Sequence, residues 1–300
     1  MLDGCSSATI SDVCRQTIVS ESGADALLGV LCALKLVVRD GAGGYSLTGM
    51  AREYCLRRSP YFVADQFGSP KSIIPPRYLN RPMSGSDHEM HERIATHPVV
   101  RFGTEERLRN QHARNLPYCV SAVKTGEFEN VRCLIDIGGG SGPFAIPLAL
   151  EYPKTRITIA ELPDAIPNIR KILLEHGLEE RIDLLAFDAL SDTWPIPICD
   201  GMFIGNVLHG FDDSTCRRFC QKAYRCLGQG GKLWIHELTW NIAKDGPLIA
   251  ALLNASMRSG GSGRQRTAQE LTSFLEEAGF VDTYVVPTAG AFSLSVGTKQ

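Results

Sequence analysis

No apolar run in this 300-residue chain approaches the ~18–20 residues that a membrane-spanning helix needs, so no membrane span is expected. The opening stretch MLDGCSSATISD lacks a basic segment ahead of an apolar one, so no secretory leader is expected and a cytoplasmic location is. An excess of one charge is missing too: 31 Lys and Arg stand against 33 Asp and Glu, a formal net charge of −2. That balance speaks against a generally nucleic-acid-binding surface. Ten cysteines are present, yet no C-x-x-C occurs, and the local cluster Cys216, Cys220 and Cys226 falls in a helical pattern without the close pairs or histidines of a zinc site. Free thiols in a reducing cytosol are the expectation. H-E-x-x-H is absent as well. "HEMHERIATH" gathers His88, His91 and His97, but its second histidine comes one residue too early for the i, i+4 pairing of that motif, so no metal is expected.

What remains is an ordinary globular composition, 44% hydrophobic and 21% charged, with length for one large domain or two smaller ones. Three regions are expected. Residues 1–58 hold "ADALLGVLCALKLV", apolar at near-helical spacing, then "VVRDGAGGYSLT", two strand-like pieces around a glycine turn. Helix, helix, hairpin is a winged-helix pattern. The presumed second helix, near 22–36, offers only Lys35 as a basic residue, so packing or dimerisation is favoured over reading a DNA groove. Residues 59–130 begin with a Pro-, Ser- and Gly-rich connector. Residues 131–300 alternate strand and helix, from "RCLIDI" through "RITIAEL", "RIDLLAF", "CDGMFIGNV" and "GKLWIHEL", and close with "VDTYVVP" and "AFSLSVGT". That alternation predicts a doubly wound α/β sheet with an antiparallel hairpin at its edge.

The chemistry gathers at strand ends. "LIDIGGGSGPFA" sets Gly138, Gly140 and Gly142 between a strand and a helix, where a ligand can lie against bare backbone. Pro143 stands where a dinucleotide fingerprint has glycine, which points to a nucleoside without a pyrophosphate. Glu161 ends the next strand, suited to ribose hydroxyls, and Asp188 ends the third, suited to an adenine amino group. "FIGNVLHGFDDS" closes a further strand with His209. By itself that histidine fits either a catalytic base or a polar stop bonded to backbone.

"LIDIGGGSG", "AELP", "FDAL", "NVLHGFDD", "GGKLWIHEL" and "GGSGRQRTAQELTSFLEEAGF" resemble successive motifs of the S-adenosylmethionine-dependent O-methyltransferases. The branch is the plant caffeate and bacterial natural-product type, which carries a winged-helix dimerisation domain. The resemblance spans about residues 8–56 and 131–300 and fails between them. It implies a class I methyltransferase Rossmann-like sheet with an N-terminal, mostly helical domain, a homodimer, S-adenosyl-L-methionine as cofactor, no metal, and a small, often aromatic, secondary-metabolite acceptor. Carried over residue by residue, it assigns the cofactor to Gly138, Gly139, Gly140, Gly142, Glu161, Leu162, Asp188, Ala189 and Asn206. His209 becomes the catalytic base and Glu237 its partner acid. Asn254, Met257 and Phe211 fall toward the acceptor, and residues 59–130 toward the roof of its pocket.

Five positions depart from the pattern. Glu161 replaces the usual aspartate, Ala189 a bulkier residue, Gly205 a Lys or Arg, Phe211 a Trp, and Gln265 a second acid. Glutamine can orient an imidazole but cannot stabilise its charge. The alternatives left open are a nitrogen or carbon acceptor on the same fold, or a non-catalytic cofactor-binding regulator.

Overall fold

The computed structural model describes residues 7–56, 58, 103–257 and 263–300. His88, His91, His97 and most of the 59–130 connector lie outside the described residues. Backbone contacts divide the chain into two units, Met1–Ser84 with Trp240–Thr267, and Gly85–Thr239 with Ala268–Gln300. The stretch from Trp240 to Thr267, contiguous in sequence with the α/β region, is thus counted with the N-terminal helices.

In the first unit, α1 (Ile10–Gln16) starts at a capping box: Thr9 accepts from the Asp12 N–H and Asp12 accepts from the Thr9 N–H. Ser20 caps α2 (Glu21–Ala33) by accepting from the Gly23 N–H. A hairpin of β1 (Val37–Arg39) and β2 (Tyr45–Leu47) follows, its turn folded over Asp40, which accepts from the Ala42 and Gly44 N–H groups. Helix, helix and hairpin therefore occur in the expected order, and α3 (Gly49–Tyr54) continues from β2. Leu28, Cys32, Val37 and Tyr45 form the small core. Helix α8 (Leu248–Met257) packs on α2, and Gly29 lets the Trp240 ring in, since a Cβ there would lie 3.0 Å from Trp240 Cη2.

The second unit is the expected sheet. Its strands are β3 (Cys133–Ile137), β4 (Arg156–Glu161), β5 (Ile182–Ala186), β6 (Cys199–Gly205), β7 (Leu227–Leu238), β8 (Val281–Pro287) and β9 (Phe292–Thr298). They lie in the order β5-β4-β3-β6-β7-β9-β8, parallel except for the β8–β9 hairpin, whose β9 runs antiparallel to β7. Side chains alternate between two cores. Leu134, Ile157, Phe203 and Trp234 face one, with α4 (Glu105–Val123), α5 (Ala145–Glu151) and α6 (Ile166–Glu175). Ile135, Met202, Ile204 and Leu233 face the other, with α7 (Asp213–Cys226) and α9 (Ala268–Glu277). Helix α7 buries Cys216, Phe219, Cys220 and Ala223 at helical spacing, so the expected thiols are core residues there. Burial of each large apolar side chain contributes about 1.5–3 kcal/mol.

Strand order reverses at β3, whose neighbours are β4 on one side and β6 on the other. Ligands of open α/β sheets bind at such a switch point, beyond the carboxyl ends of the strands. The glycine loop leaves β3 there, and His209 follows β6. Among the described residues no helix is long and apolar enough to cross a membrane.

Candidate active site

The glycine loop takes its shape from three left-handed residues, Gly138, Gly140 and Gly142, at φ 67°, 52° and 78°. Gly140 is the open one: a Cβ there would meet nothing within 4 Å, so its backbone faces free space. At Gly138 a Cβ would lie 2.8 Å from Val207 Cγ2. This close approach seats the loop against the turn that carries His209.

Glu161 reaches back to the loop. Its Oε2 accepts from the Gly140 N–H at 3.1 Å and its Oε1 from the Leu162 N–H at 2.7 Å. Burial raises this carboxyl despite both hydrogen bonds. A carboxylate offers about four acceptor sites, so each oxygen keeps one for a hydroxyl. At the end of β5, Asp188 Oδ1 accepts from the Leu190 N–H at 2.8 Å, and Ala189 packs on the second core. Asn206 takes φ 54° and donates its N–H to the His236 carbonyl at 3.0 Å. The turn it opens swings back across the end of β7.

His209 lies in the short 3-10 turn Leu208–Gly210. Its Nδ1 is 2.9 Å from Glu237 Oε2. Glu237 Oε1 meanwhile accepts from the N–H groups of Val207 at 2.9 Å, Leu208 at 2.8 Å and His209 at 3.4 Å. The carboxylate thus holds both the imidazole and the backbone of its turn. Burial alone would raise Glu237, but the His209 ring and the backbone N–H groups hold it below its ordinary value. An ionised carboxylate can only accept, so Nδ1 is the donor to it, and in the neutral ring this tautomer leaves the lone pair on Nε2. The His209 side chain is 21% exposed and that of Glu237 4%, so the ring reaches solvent while its anchor does not. Phe211 packs 5.3 Å from Phe219, centroid to centroid.

His236, next to Glu237, points to the opposite face, as strand alternation requires. It is fully buried between Phe203 and Phe292, and its Nε2 meets Thr288 Oγ1 at 3.0 Å. Burial lowers it to about 4, which keeps it neutral.

The structure also explains Gly205. A Cβ there would fall 2.5 Å from the ring of Phe203, which is buried and stacked on Phe144. A long basic side chain has no room to leave that position. Gly205→Ala is expected to destabilise the fold by about 1–3 kcal/mol through overpacking, read as a lowered Tm.

Two groups near the loop carried no sequence signal. Ser141 donates its hydroxyl to the Leu108 carbonyl at 3.1 Å and meets His112 Nδ1 at 3.1 Å, which ties α4 to the loop. Asp136 is buried beneath the loop, and a Cβ on Gly139 would lie 2.5 Å from its Oδ2. Burial, then the Glu161 charge, pushes Asp136 up to about 8. An acid with a raised folded pKa is favourable for stability only at low pH; stability falls as pH rises from the unfolded value near 4 to about 8. Asp136→Asn should therefore melt above the wild-type chain by a margin that widens between pH 5 and pH 8.

Asn254 and Met257 belong to the other unit. Asn254 is buried and its Oδ1 accepts from the Gln265 N–H at 3.0 Å; Met257 ends α8. The Gln265 side-chain amide is buried without a hydrogen-bond partner. Among the described residues no group of three or more His, Cys, Asp or Glu could hold a metal.

A profile of the O-methyltransferase domain matches residues 90–281, well over half of the chain. The chain belongs to the O-methyltransferase domain family. Similar proteins include 3-hydroxy-5-methyl-1-naphthoate 3-O-methyltransferase of Streptomyces sahachiroi, 32% identical over 175 residues, 58% of this chain and 50% of that enzyme. The S-adenosyl-L-methionine-dependent methyl transferase PigF of Serratia is 29% identical over 184 residues, 61% of this chain and 53% of the relative. The matches thus span about half the length of these two relatives. An O-methyltransferase family 2 protein from Planctomyces limnophilus, solved with apigenin, aligns with TM-score 0.75 and 25% identity over 98% of this chain and 87% of that one. The alignment takes in the seven-stranded sheet and its C-terminal hairpin, so the fold is shared with that O-methyltransferase family 2 protein.

Proposed function

We propose that the chain transfers a methyl group from S-adenosyl-L-methionine to a hydroxyl of a small aromatic acceptor, with His209 as general base. The observation that carries this reading is the Glu237-anchored imidazole seated, through Val207 and Gly138, against the glycine loop. The relatives that act on a naphthoate or use S-adenosyl-L-methionine support the acceptor class and the cofactor.

The residues present fit that cofactor. Gly140 offers bare backbone to open space, Glu161 keeps acceptor positions for ribose hydroxyls, and Asp188 keeps one oxygen for an adenine amino group. Gly138, Gly139, Gly142, Leu162, Ala189 and Asn206 complete the proposed cofactor site. When bound, the cofactor supplies an electrophilic methyl on a sulfonium. The chain aligns the acceptor oxygen with that methyl, which supplies about 7–11 kcal/mol of barrier reduction. Nε2 of His209 takes the hydroxyl proton, worth about 10²–10⁴-fold, and Glu237 stabilises the resulting imidazolium. Orientation carries more of the rate, but a neutral hydroxyl is a poor nucleophile until its proton leaves.

Phe211, Asn254 and Met257 are proposed acceptor contacts. Residues 1–58 are proposed as a winged-helix dimerisation region, 59–130 as part of the acceptor-binding region, and 131–300 as the catalytic region of a cytoplasmic homodimer in secondary metabolism. Exposed Ile249 and Leu252 on α8 support self-association, which sedimentation will check. The function is tested by incubating the chain with methyl-labelled cofactor and a panel of phenols, anilines and carbon acids. Label recovered as an aryl methyl ether supports it; label only on nitrogen or carbon, or none with any acceptor, contradicts it.

A further inference from the structure

The turn after β5 is held from its buried side by a cation. Lys222 of α7 is 9% exposed, and its Nζ donates to the carbonyl oxygens of Ala189 at 3.2 Å, Leu190 at 3.5 Å and Ser191 in a shorter contact. Its ammonium also sits 5.7 Å from the ring centroids of both Trp194 and Phe219. Trp194 adds a second donor, its Nε1–H reaching the Ala189 carbonyl at 2.9 Å. On its other side the turn is closed by the Ser191 N–H to the Asp188 carbonyl and the Leu190 N–H to Asp188 Oδ1.

Burying an ammonium costs several kcal/mol, and an apolar side chain would fill this part of the core without that cost. No carboxylate forms an ion pair with Lys222 among the described residues; Asp188 and Asp192 act on it only at longer range. Its three donors are spent on three consecutive carbonyls. These converge on one point only while residues 189–191 keep this one conformation. The conformation sets where Asp188 Oδ2 and the Ala189 face point. Ala189 has only a methyl group with which to grip a flat base, so the backbone path of the turn must supply the fit.

We propose that Lys222, seconded by Trp194, is a positioning residue for the nucleoside end of the cofactor, fixing the 188–191 turn in the shape that receives an adenine ring. This rests on the cofactor reading above, and it places the work in a residue that meets no ligand atom.

The test is Lys222→Met, which keeps the length and apolar stem and removes the ammonium. Loss of a buried charged donor corresponds to about a 10- to 100-fold change in equilibrium. The dissociation constant for S-adenosylhomocysteine is expected to rise by about that factor, and that for free adenosine in parallel, because the effect lies at the nucleoside end. The KM for S-adenosylmethionine should rise while kcat at saturating cofactor stays near that of the wild-type chain. Lys222→Arg should recover part of the affinity. Trp194→Phe, which keeps a ring and removes one donor, should weaken binding in the same direction and supplies the result if Lys222→Met does not fold. Unchanged affinity in both variants overturns the proposal, as does a fall in kcat with no change in KM. A wild-type chain that fails to bind S-adenosylhomocysteine overturns the cofactor reading itself, and that failure is visible before any variant is made.

Discussion

Replacing His209 by alanine is expected to lower methyl transfer about 100-fold or more, with S-adenosylhomocysteine bound as tightly as by the wild-type chain. The two halves of that expectation come from different parts of the site. The cofactor half consists of the glycine loop, Glu161 and Asp188, none of which hydrogen-bonds the imidazole. The proton-transfer half consists of Nε2, freed for that role because Nδ1 is committed to Glu237. Alanine removes the second and leaves the first. The backbone of the turn keeps its own anchors, since Val207 and Leu208 still donate to Glu237. A fall of less than about threefold, or an equal loss of cofactor affinity, contradicts the assignment.

Glu237→Gln is expected to be nearly as damaging without unfolding the chain. Glutamine is isosteric, and its carbonyl oxygen can go on accepting from Val207 and Leu208. Its NH2 group then faces Nδ1 of His209, where the carboxylate oxygen stood. A donor at that position forces Nδ1 to accept, which moves the ring proton to Nε2 and removes the lone pair that would take the acceptor's proton. A wrong tautomer in an otherwise intact site costs about 10²–10⁴-fold. Glu237→Ala differs in kind. It leaves the N–H groups of the turn unpaired in a buried place, at about 1–3 kcal/mol for each one unmet, so it should lower the Tm as well. Combined with His209→Ala, Glu237→Gln should add little further loss in rate, because both act through one ring.

Much of this site was legible because backbone chemistry forces it. A loop that must take positive φ three times within five residues needs glycine, and the three glycines stood between a buried strand and a helix. The His209–Glu237 pair was legible only through the resemblance, and the fold supplies its reason: β6 and β7 run parallel with Gly205 opposite His236, so what leaves β6 faces the end of β7. The hairpin β8–β9 followed from two strand-like runs with too little chain between them for a crossover.

The remainder depends on contacts between distant residues that no local pattern encodes. Lys222 lies on a helix whose neighbours look like an ordinary amphipathic face, and only the fold brings its ammonium under Ala189–Ser191. Asp136 sits in a strand of apolar residues and reads as one more loop-adjacent acid until its burial under Gly139 is seen. Ser141 shows its partner only once α4 is laid across the loop. In the sequence Gly205 shows only the loss of a Lys or Arg; the ring of Phe203 fills its side-chain position, so packing on that face of the sheet excludes one.

The central claim is that His209 acts by removing the acceptor's proton, and it is tested most directly by varying the need for removal. Once a phenol that the wild-type chain methylates is known, its nitro derivative, already ionised at the assay pH, is compared with the parent in the wild-type chain and in His209→Ala. The expected wild-type to variant ratio is about 100 or more for the parent phenol and near unity for the ionised one. The same large ratio for both acceptors would contradict it, because an imidazole that merely shapes the pocket is needed whether or not the proton is there.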